Sequence, residues 1–163
     1  MRIITGSARG TRLKSPAGDG TRPTADRTRE ALFSMLGTRV CDAHVLDLFA
    51  GTGALALESL SRGAAHAVLV DHATHASLLE NARRTKLKAR AEIRRGDVYG
   101  QIAALAQARR TFDLIFADPP YAHGDNARIL AAVGENALLA AGGLVVLEQG
   151  AEEALIERSG RLS

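Results

Sequence analysis

Short apolar runs alternate with longer amphipathic stretches over most of the chain beyond residue 43. The apolar runs at residues 44–48, 67–71, 112–117 and 143–148 have the length and composition of buried strands, and residues 91–95 predict a weaker strand. The stretches between them repeat apolar positions with helical spacing and predict helices at residues 54–62, 73–88, 98–109 and 126–140. Strands separated by helices are joined by right-handed crossovers, which makes the sheet parallel and covers both of its faces. The pattern therefore predicts an α/β fold, a doubly wound Rossmann-like sandwich.

The first forty residues follow a different pattern. Residues 2–5 predict the first half of a short hairpin, and residues 10–23 predict a loop because they are rich in glycine, proline, threonine and serine. Residues 24–36 predict a helix that Thr24 or Asp26 caps. We therefore predict one domain over residues 1–163, in which residues 1–40 form an N-terminal extension.

Composition limits the protein class. With 163 residues, 46% hydrophobic and 24% charged, the chain can bury the core of one globular domain. No apolar run approaches the roughly 20 residues of a membrane-spanning helix, and the start lacks the apolar stretch of a secretory signal. Cys41 is the single cysteine, which excludes an intramolecular disulfide framework and a cysteine-based zinc site. We expect a cytoplasmic monomer with no membrane partner and no bound metal.

The net positive charge of the chain is concentrated in the N-terminal extension. Residues 1–40 carry a net charge of +5 and residues 41–163 carry −2, and all but three of the 21 cations are arginines. A guanidinium group binds phosphate through two hydrogen bonds and stacks on bases, so an arginine-rich extension favours a nucleic-acid partner. A solvated basic surface is the alternative that charge alone leaves open.

A glycine loop follows the first predicted strand, in the segment Asp47-Leu-Phe-Ala-Gly-Thr-Gly53. Gly51 and Gly53 allow the backbone to turn tightly and to approach a ligand. Asp71 ends the second predicted strand eighteen residues after Gly53, near the spacing at which an acid binds ribose hydroxyls. The loop also fits a relaxed dinucleotide-binding pattern, but Asp47 would repel a pyrophosphate and attract an ammonium group. A plain strand-to-helix turn is the remaining alternative.

Two further loops follow the third and fourth strands. Asp97, in the segment Gly96-Asp97-Val98, is expected to accept a hydrogen bond from an adenine amino group, although an ordinary turn is equally consistent with this segment. In Asp118-Pro-Pro-Tyr121 the two prolines fix φ and remove two backbone donors. Hydrogen bonds accepted from an exocyclic amine by Asp118 and the next carbonyl would free the nitrogen lone pair for attack. Tyr121 would then stack on the planar base.

Taken in order, these four motifs resemble those of the class I S-adenosylmethionine-dependent amino-methyltransferases. The N-terminal extension narrows the resemblance, because the residues Arg9-Gly-x-Arg12 and the segment Thr21-Arg-Pro-Thr-x-Asp-Arg-x-Arg-Glu-Ala-Leu-Phe-Ser34 are similar to those of the RsmD-type 16S rRNA guanine-N2 methyltransferases. The resemblance covers residues 2–149. It implies the class I methyltransferase fold, S-adenosylmethionine as cofactor, and 16S rRNA within the small ribosomal subunit as substrate.

The resemblance also implies a role for each motif. The cofactor would be held mainly by the first three loops, with the methionine part at the glycine loop, the ribose at Asp71 and the adenine at Asp97, and Asp118 of the fourth loop would also contact it. The cofactor-binding residues would be Asp47, Phe49, Ala50, Gly51, Thr52, Gly53, Asp71, His72, Gly96, Asp97, Val98 and Asp118. The catalytic loop would orient the guanine amino group and stack on the base; its residues are Asp118, Pro119, Pro120 and Tyr121. RNA would be bound by arginines of the extension, which are Arg9, Arg12, Arg22, Arg27 and Arg29.

The chain departs from this family at its C-terminal end. The family usually continues past the fifth strand with a helix and a pair of strands, whereas residues 150–163 leave room for little beyond a short helix at residues 152–158. We therefore expect short or missing C-terminal strands. Two other functions stay open, which are methylation of another amine such as adenine N6 in RNA or DNA, and RNA binding without catalysis.

Overall fold

One mixed β-sheet with helices on both faces forms the framework of the protein. The computed structural model describes residues 1–15, 23–119, 125–149 and 153–158, and side chains are described for these residues except 23–25, 125, 148–149 and 153–158. The strands are β1 His44–Leu48, β2 His66–Asp71, β3 Ala91–Arg95, β4 Phe112–Ala117, β5 Leu139–Gln149 and β6 Glu153–Arg158. The helices are α1 Pro23–Leu36, α2 Ala54–Ser61, α3 His75–Arg84, α4 Val98–Gln107 and α5 Asp125–Glu135.

The order of the strands in the sheet is β3-β2-β1-β4-β5-β6, with the first five parallel. Because the chain moves from β1 to β2 and β3 on one side and to β4 and β5 on the other, the order reverses between β1 and β4. Ligands of such sheets bind at this reversal, beyond the carboxyl ends of the strands. The predicted doubly wound α/β fold is confirmed.

The C-terminal segment differs from the expectation. The helix predicted at residues 152–158 is wrong, because residues 153–158 form β6, which pairs antiparallel with β5 from Leu144↔Arg158 to Gln149↔Glu153. The physical reason is that β5 would otherwise present a row of unpaired backbone groups at the edge of the sheet. Pairing with this edge outweighs the weak helical preference of a six-residue segment.

Three helices end two or more residues earlier than predicted. The helix expected at residues 73–88 is α3, and it ends where Lys86 adopts φ +61° while the Leu87 N–H donates to the Ala82 carbonyl over 3.0 Å. The same termination closes α4 at Arg109 and α5 at Ala137. This geometry is the Schellman motif, in which a left-handed residue reverses the chain and satisfies the last carbonyls of the helix. At α2 the motif uses Gly63, as predicted.

Each face of the sheet has its own core. Alternate strand residues point to opposite faces, so Val45 and Leu69 pack with α1, α2 and α3, whereas Leu46 and Val70 pack with α4 and α5. The first face also receives the N-terminal hairpin, through the buried side chains of Ile3 and Leu13 among others. No helix within the described ranges is long and apolar enough to cross a membrane.

The predicted N-terminal hairpin is present in the described residues. Arg2 and Arg12 form an antiparallel bridge, and the Ile3 N–H donates to the Thr11 carbonyl over 2.9 Å. We refer to residues 1–15 as the N-terminal arm.

Candidate active site

The register of the sheet brings the predicted motifs to one edge. Leu48, the last residue of β1, pairs with Val70 on one side and with Ala117 on the other, and Asp71 pairs with Arg95. The loops that follow β1, β2, β3 and β4 therefore leave the sheet at the same level. The point where the strand order reverses is surrounded by the glycine loop and by Asp71, Asp97 and Asp118, which lie at or just after the ends of their strands.

The glycine loop needs its two glycines for different reasons. Gly53 has φ +83°, and a Cβ atom there would lie only 3.0 to 3.3 Å from side-chain carbons of Leu78, Leu69 and Leu57. Gly51 has φ +61°, and its Cβ would meet nothing closer than 4.0 Å. Gly53 therefore permits close packing beneath the loop, whereas Gly51 faces open space where a ligand can approach the backbone.

Asp71 connects the second strand to this loop. Its Oδ2 accepts the Gly51 N–H over 3.0 Å, and its Oδ1 accepts the N–H groups of Ala73 and Thr74 over 2.8 and 3.2 Å. Burial by itself would raise the pKa of Asp71, but these hydrogen bonds to the charged form outweigh burial and lower the pKa. Asp71 is therefore an ionised carboxylate at neutral pH and an anchor of the glycine loop.

Asp47 lies beneath the loop. Its side chain is buried, and Oδ2 accepts the Ala56 N–H over 3.2 Å in the first turn of α2. A carboxylate at this position is stabilised by the free N–H groups and the positive end of the helix dipole. Its predicted contact with the methionine part of a cofactor stays a prediction.

Asp97 is the N-cap of α4. Its Oδ2 accepts the Gly100 N–H over 2.9 Å, and the side chain is exposed at the mouth of the same edge. The preceding Gly96 N–H donates to the backbone carbonyl of Asp71 over 3.2 Å, which joins the third loop to the second. Val98 is buried in the core beneath, whereas His72 is exposed. The adenine contact predicted for Asp97 stays a prediction beside its capping role.

The predicted catalytic loop is described only at its start. Asp118 is exposed directly after β4, and Pro119 is buried. Pro120, Tyr121 and the predicted RNA-binding Arg22 lie outside the described residues.

The predicted RNA-binding arginines divide into two groups. Arg9, Arg12 and Arg27 are exposed. The prediction for Arg29 is wrong, because its side chain is only 4% exposed and its Nε lies 3.4 Å from Oε1 of Glu58. Arg29 also donates to the Arg2 carbonyl, so this buried guanidinium joins α1 to the N-terminal arm.

Two buried polar residues were not predicted from the sequence. Glu58, fully buried in α2, accepts the backbone N–H groups of Ile4 and Thr5 over 2.8 and 3.1 Å and the Nε–H of Arg62 over 2.9 Å. Asn81, fully buried in α3, bonds to both the N-terminal arm and the glycine loop. The signal available in the sequence was a charged or amide side chain among the apolar positions of each helix.

Comparison with known proteins agrees with this geometry. Residues 1–163 match the family described as Conserved hypothetical protein 95. Ribosomal RNA small subunit methyltransferase D of Escherichia coli K12 is 39% identical over 158 residues, which cover 95% of this chain and 77% of that protein. The structure of a hypothetical protein from Thermus thermophilus superimposes with a TM-score of 0.81 at 34% identity and covers 98% of both chains.

A more distant structure, of a protein described as a SAM-dependent methyltransferase from Streptococcus mutans, shares the fold with a TM-score of 0.67 at 24% identity. It covers 78% of this chain and 35% of that one. These comparisons confirm the expected class I methyltransferase fold and the resemblance to the RsmD-type enzymes. S-adenosylmethionine is the cofactor of this class. The chain belongs to the Conserved hypothetical protein 95 family, which includes the RsmD-type methyltransferases.

Proposed function

We propose that the protein transfers a methyl group from S-adenosylmethionine to the exocyclic N2 amine of a guanine in 16S rRNA of the small ribosomal subunit. The observation that carries the proposal is the pairing of Leu48 with Ala117. It places the start of the glycine loop and Asp118 side by side, so a methyl donor on one loop and an amine held by the other could meet. The name of the Escherichia coli relative supports a ribosomal RNA substrate.

The residues at this edge fit the cofactor. Gly51 leaves open space beside the backbone, and Asp71 and Asp97 offer carboxylate oxygens, which accept hydrogen bonds from hydroxyl and amino groups. A sulfonium cation suits an edge surrounded by carboxylates, whereas a pyrophosphate does not. The bound cofactor would supply a methyl group on a good leaving group.

The chain's own residues would orient the amine. The Asp118 carboxylate and the Pro119 carbonyl are the acceptors proposed for the two N–H bonds of the target nitrogen. Accepting both bonds favours a pyramidal nitrogen whose lone pair points at the methyl carbon. Asp118 need not be a strong base, because the methylated nitrogen is acidic and releases its proton readily. Alignment of this kind contributes roughly 7 to 11 kcal/mol in well-oriented reactions.

The exposed arginines of the extension would bind the RNA backbone. Arg9 and Arg12 lie on the N-terminal arm, and Arg27 lies on α1. Binding by phosphate contacts weakens steeply as salt rises, since it is driven by release of counterions. The expected RNA affinity therefore falls with salt, and less steeply when these arginines are replaced by glutamine.

The proposal is tested by transfer of labelled methyl from S-adenosylmethionine to unmethylated 30S particles, with naked 16S rRNA in parallel and nucleoside digestion afterwards. Labelled N2-methylguanosine is the expected product. Labelled N6-methyladenosine would instead support the adenine alternative. RNA binding with cofactor binding but no transfer to either substrate would support a non-catalytic role.

Two variants separate the proposed roles in the same assay. Asp118→Ala should lose about a hundredfold in turnover at saturating cofactor, because the amine is no longer aligned, while S-adenosylhomocysteine affinity changes little. Asp47→Ala should do the reverse and mainly weaken the affinity for S-adenosylhomocysteine. Full turnover by Asp118→Ala would refute its assignment.

A further inference from the structure

Asn81 connects two parts of the protein that lie far apart in sequence. Its Oδ1 accepts the Lys14 N–H over 2.7 Å, and its Nδ2 donates to the Lys14 carbonyl over 2.9 Å. Nδ2 also donates to the carbonyl of Thr52 in the glycine loop over 2.9 Å. The side chain is fully buried, so one amide joins the N-terminal arm to the loop that faces the proposed cofactor site.

The hydrogen-bonding capacity of this amide is well matched to its surroundings. Both Nδ2 hydrogens and the oxygen of Asn81 have partners, and Lys14 exchanges its N–H and carbonyl with the amide as a neighbouring strand would. A second contact follows the same path, since the Thr52 hydroxyl lies 3.5 Å from the sulfur of Met1. The first residue of the arm therefore contacts the loop directly, and Lys14 near its other end is joined to the loop through Asn81.

The glycine loop depends on external anchors. Thr52 stands between Gly51 and Gly53, both of which have positive φ and little intrinsic preference for one conformation. Asp71 holds the loop from one side through the Gly51 N–H. Asn81 holds it from the other side through the Thr52 carbonyl. Loss of either anchor would let the loop sample conformations that do not bind a ligand.

We propose that Asn81 is a positioning residue that makes the docked N-terminal arm a determinant of cofactor affinity. The proposal rests on the cofactor site described above.

Titration calorimetry with S-adenosylhomocysteine tests the proposal on the full chain. Asn81→Asp removes both Nδ2 hydrogens with little change of shape and should weaken binding about tenfold or more, because two buried carbonyls lose their donor. Turnover at saturating cofactor should stay near that of the wild type, since the catalytic loop is untouched. Asn136→Asp changes an asparagine directly after α5 whose Nδ2 donates to the nearby Ala132 carbonyl, and it should bind S-adenosylhomocysteine as the wild type does.

A second pair of variants covers the case in which Asn81→Asp does not fold. Lys14→Pro removes the backbone N–H that donates to Asn81 Oδ1 and leaves the buried Asn81 side chain in place. Lys14→Ala keeps that N–H and serves as the reference for Lys14→Pro. Lys14→Pro should bind S-adenosylhomocysteine several-fold more weakly than Lys14→Ala. In the Asn81→Asp background, Lys14→Pro should weaken S-adenosylhomocysteine binding by a smaller factor than it does in the wild type. The reason is that both changes break the same connection between the arm and the glycine loop.

Equal affinities for Lys14→Pro and Lys14→Ala would overturn the proposal, as would fully additive losses in the double variant. These outcomes are distinct from a failure of the proposed function. Wild-type protein that binds S-adenosylhomocysteine but methylates neither 30S particles nor 16S rRNA would remove the proposed function and leave the role of Asn81 to be decided by the affinities.

Discussion

The two faces of the sheet are held together by different kinds of contact. On the face covered by α4 and α5 the buried side chains are apolar, with Ile102, Leu105 and Ile129 at its centre. On the face covered by α1, α2, α3 and the N-terminal arm, charged and polar groups are buried among the apolar ones. Of the buried polar side chains in the part of the chain that is described, none lies on α4 or α5.

The difference follows from what each face must accommodate. Apolar contacts are not directional, and they suffice for α4 and α5, whose buried apolar side chains pack directly against the sheet. The N-terminal arm is short and buries few apolar side chains, so hydrogen bonds to fixed partners must decide where it lies. Glu58 and Ser61 of α2 and Asn81 of α3 supply these partners. The polar face is therefore the one that positions the arm and the loop next to it.

The largest expected effect is on the polar face. Glu58→Ala leaves Arg29, Arg62 and two backbone N–H groups of the arm without their buried acceptor. Removing one partner from such a network costs about 3 to 5 kcal/mol of unfolding free energy, which urea denaturation measures. The matched control is Glu80→Gln, which breaks an exposed ion pair with Arg84 and should cost less than about 1 kcal/mol. Equal losses in the two variants would mean that burial of the Glu58 network contributes nothing beyond an exposed ion pair.

The strands and the site loops could be predicted from the sequence because their signals are local. The bounds of β1, β3 and β4 agree with the prediction to the residue. β1 and β4 are buried apolar runs between turn residues, β3 is a shorter and more polar run between a helix and the turn at Gly96, and parallel topology then sends every loop that follows to one edge. This is why motifs separated by more than sixty positions meet around Gly51 without any long-range information.

The remaining features depend on contacts between distant segments. Three helix ends could not be predicted from the sequence, because the residue in the left-handed conformation is not glycine. These residues are Lys86, Arg109 and Ala137. Pairing with the edge of β5 turned residues 153–158 into a strand. The burial of Arg29 required its acceptor Glu58, which lies on another helix. The Asn81 contact with Lys14 spans 67 positions, and no periodicity reports such a pair.

An intermediate effect is expected at Asp71, where the polar face meets the site. The pKa of Asp71 is lower in the folded protein, which means that folding stabilises the ionised carboxylate. Its contribution to the free energy of unfolding is therefore fully present above the unfolded pKa of about 3.9. The contribution is lost as the pH falls through the lower folded pKa. Asp71→Asn should therefore be less stable than the wild type at pH 7, by about 2 kcal/mol. The difference should shrink progressively below about pH 4. Urea denaturation at pH 7, 4 and 3 measures it, and a constant difference would mean that the hydrogen bonds do not favour the charged form.

The smallest expected effect is on the apolar face. Ile102 is fully buried in α4, and Ile102→Val removes one methylene group from a core that contains no polar partner to disrupt. Such a change costs about 0.5 to 1.5 kcal/mol, seen as a lower urea midpoint with an unchanged slope. Its affinity for S-adenosylhomocysteine should equal that of the wild type, whereas Glu58→Ala should weaken it because the arm is no longer held. A loss of cofactor affinity in Ile102→Val as large as that in Glu58→Ala would show that general stability, and not the position of the arm, controls the site.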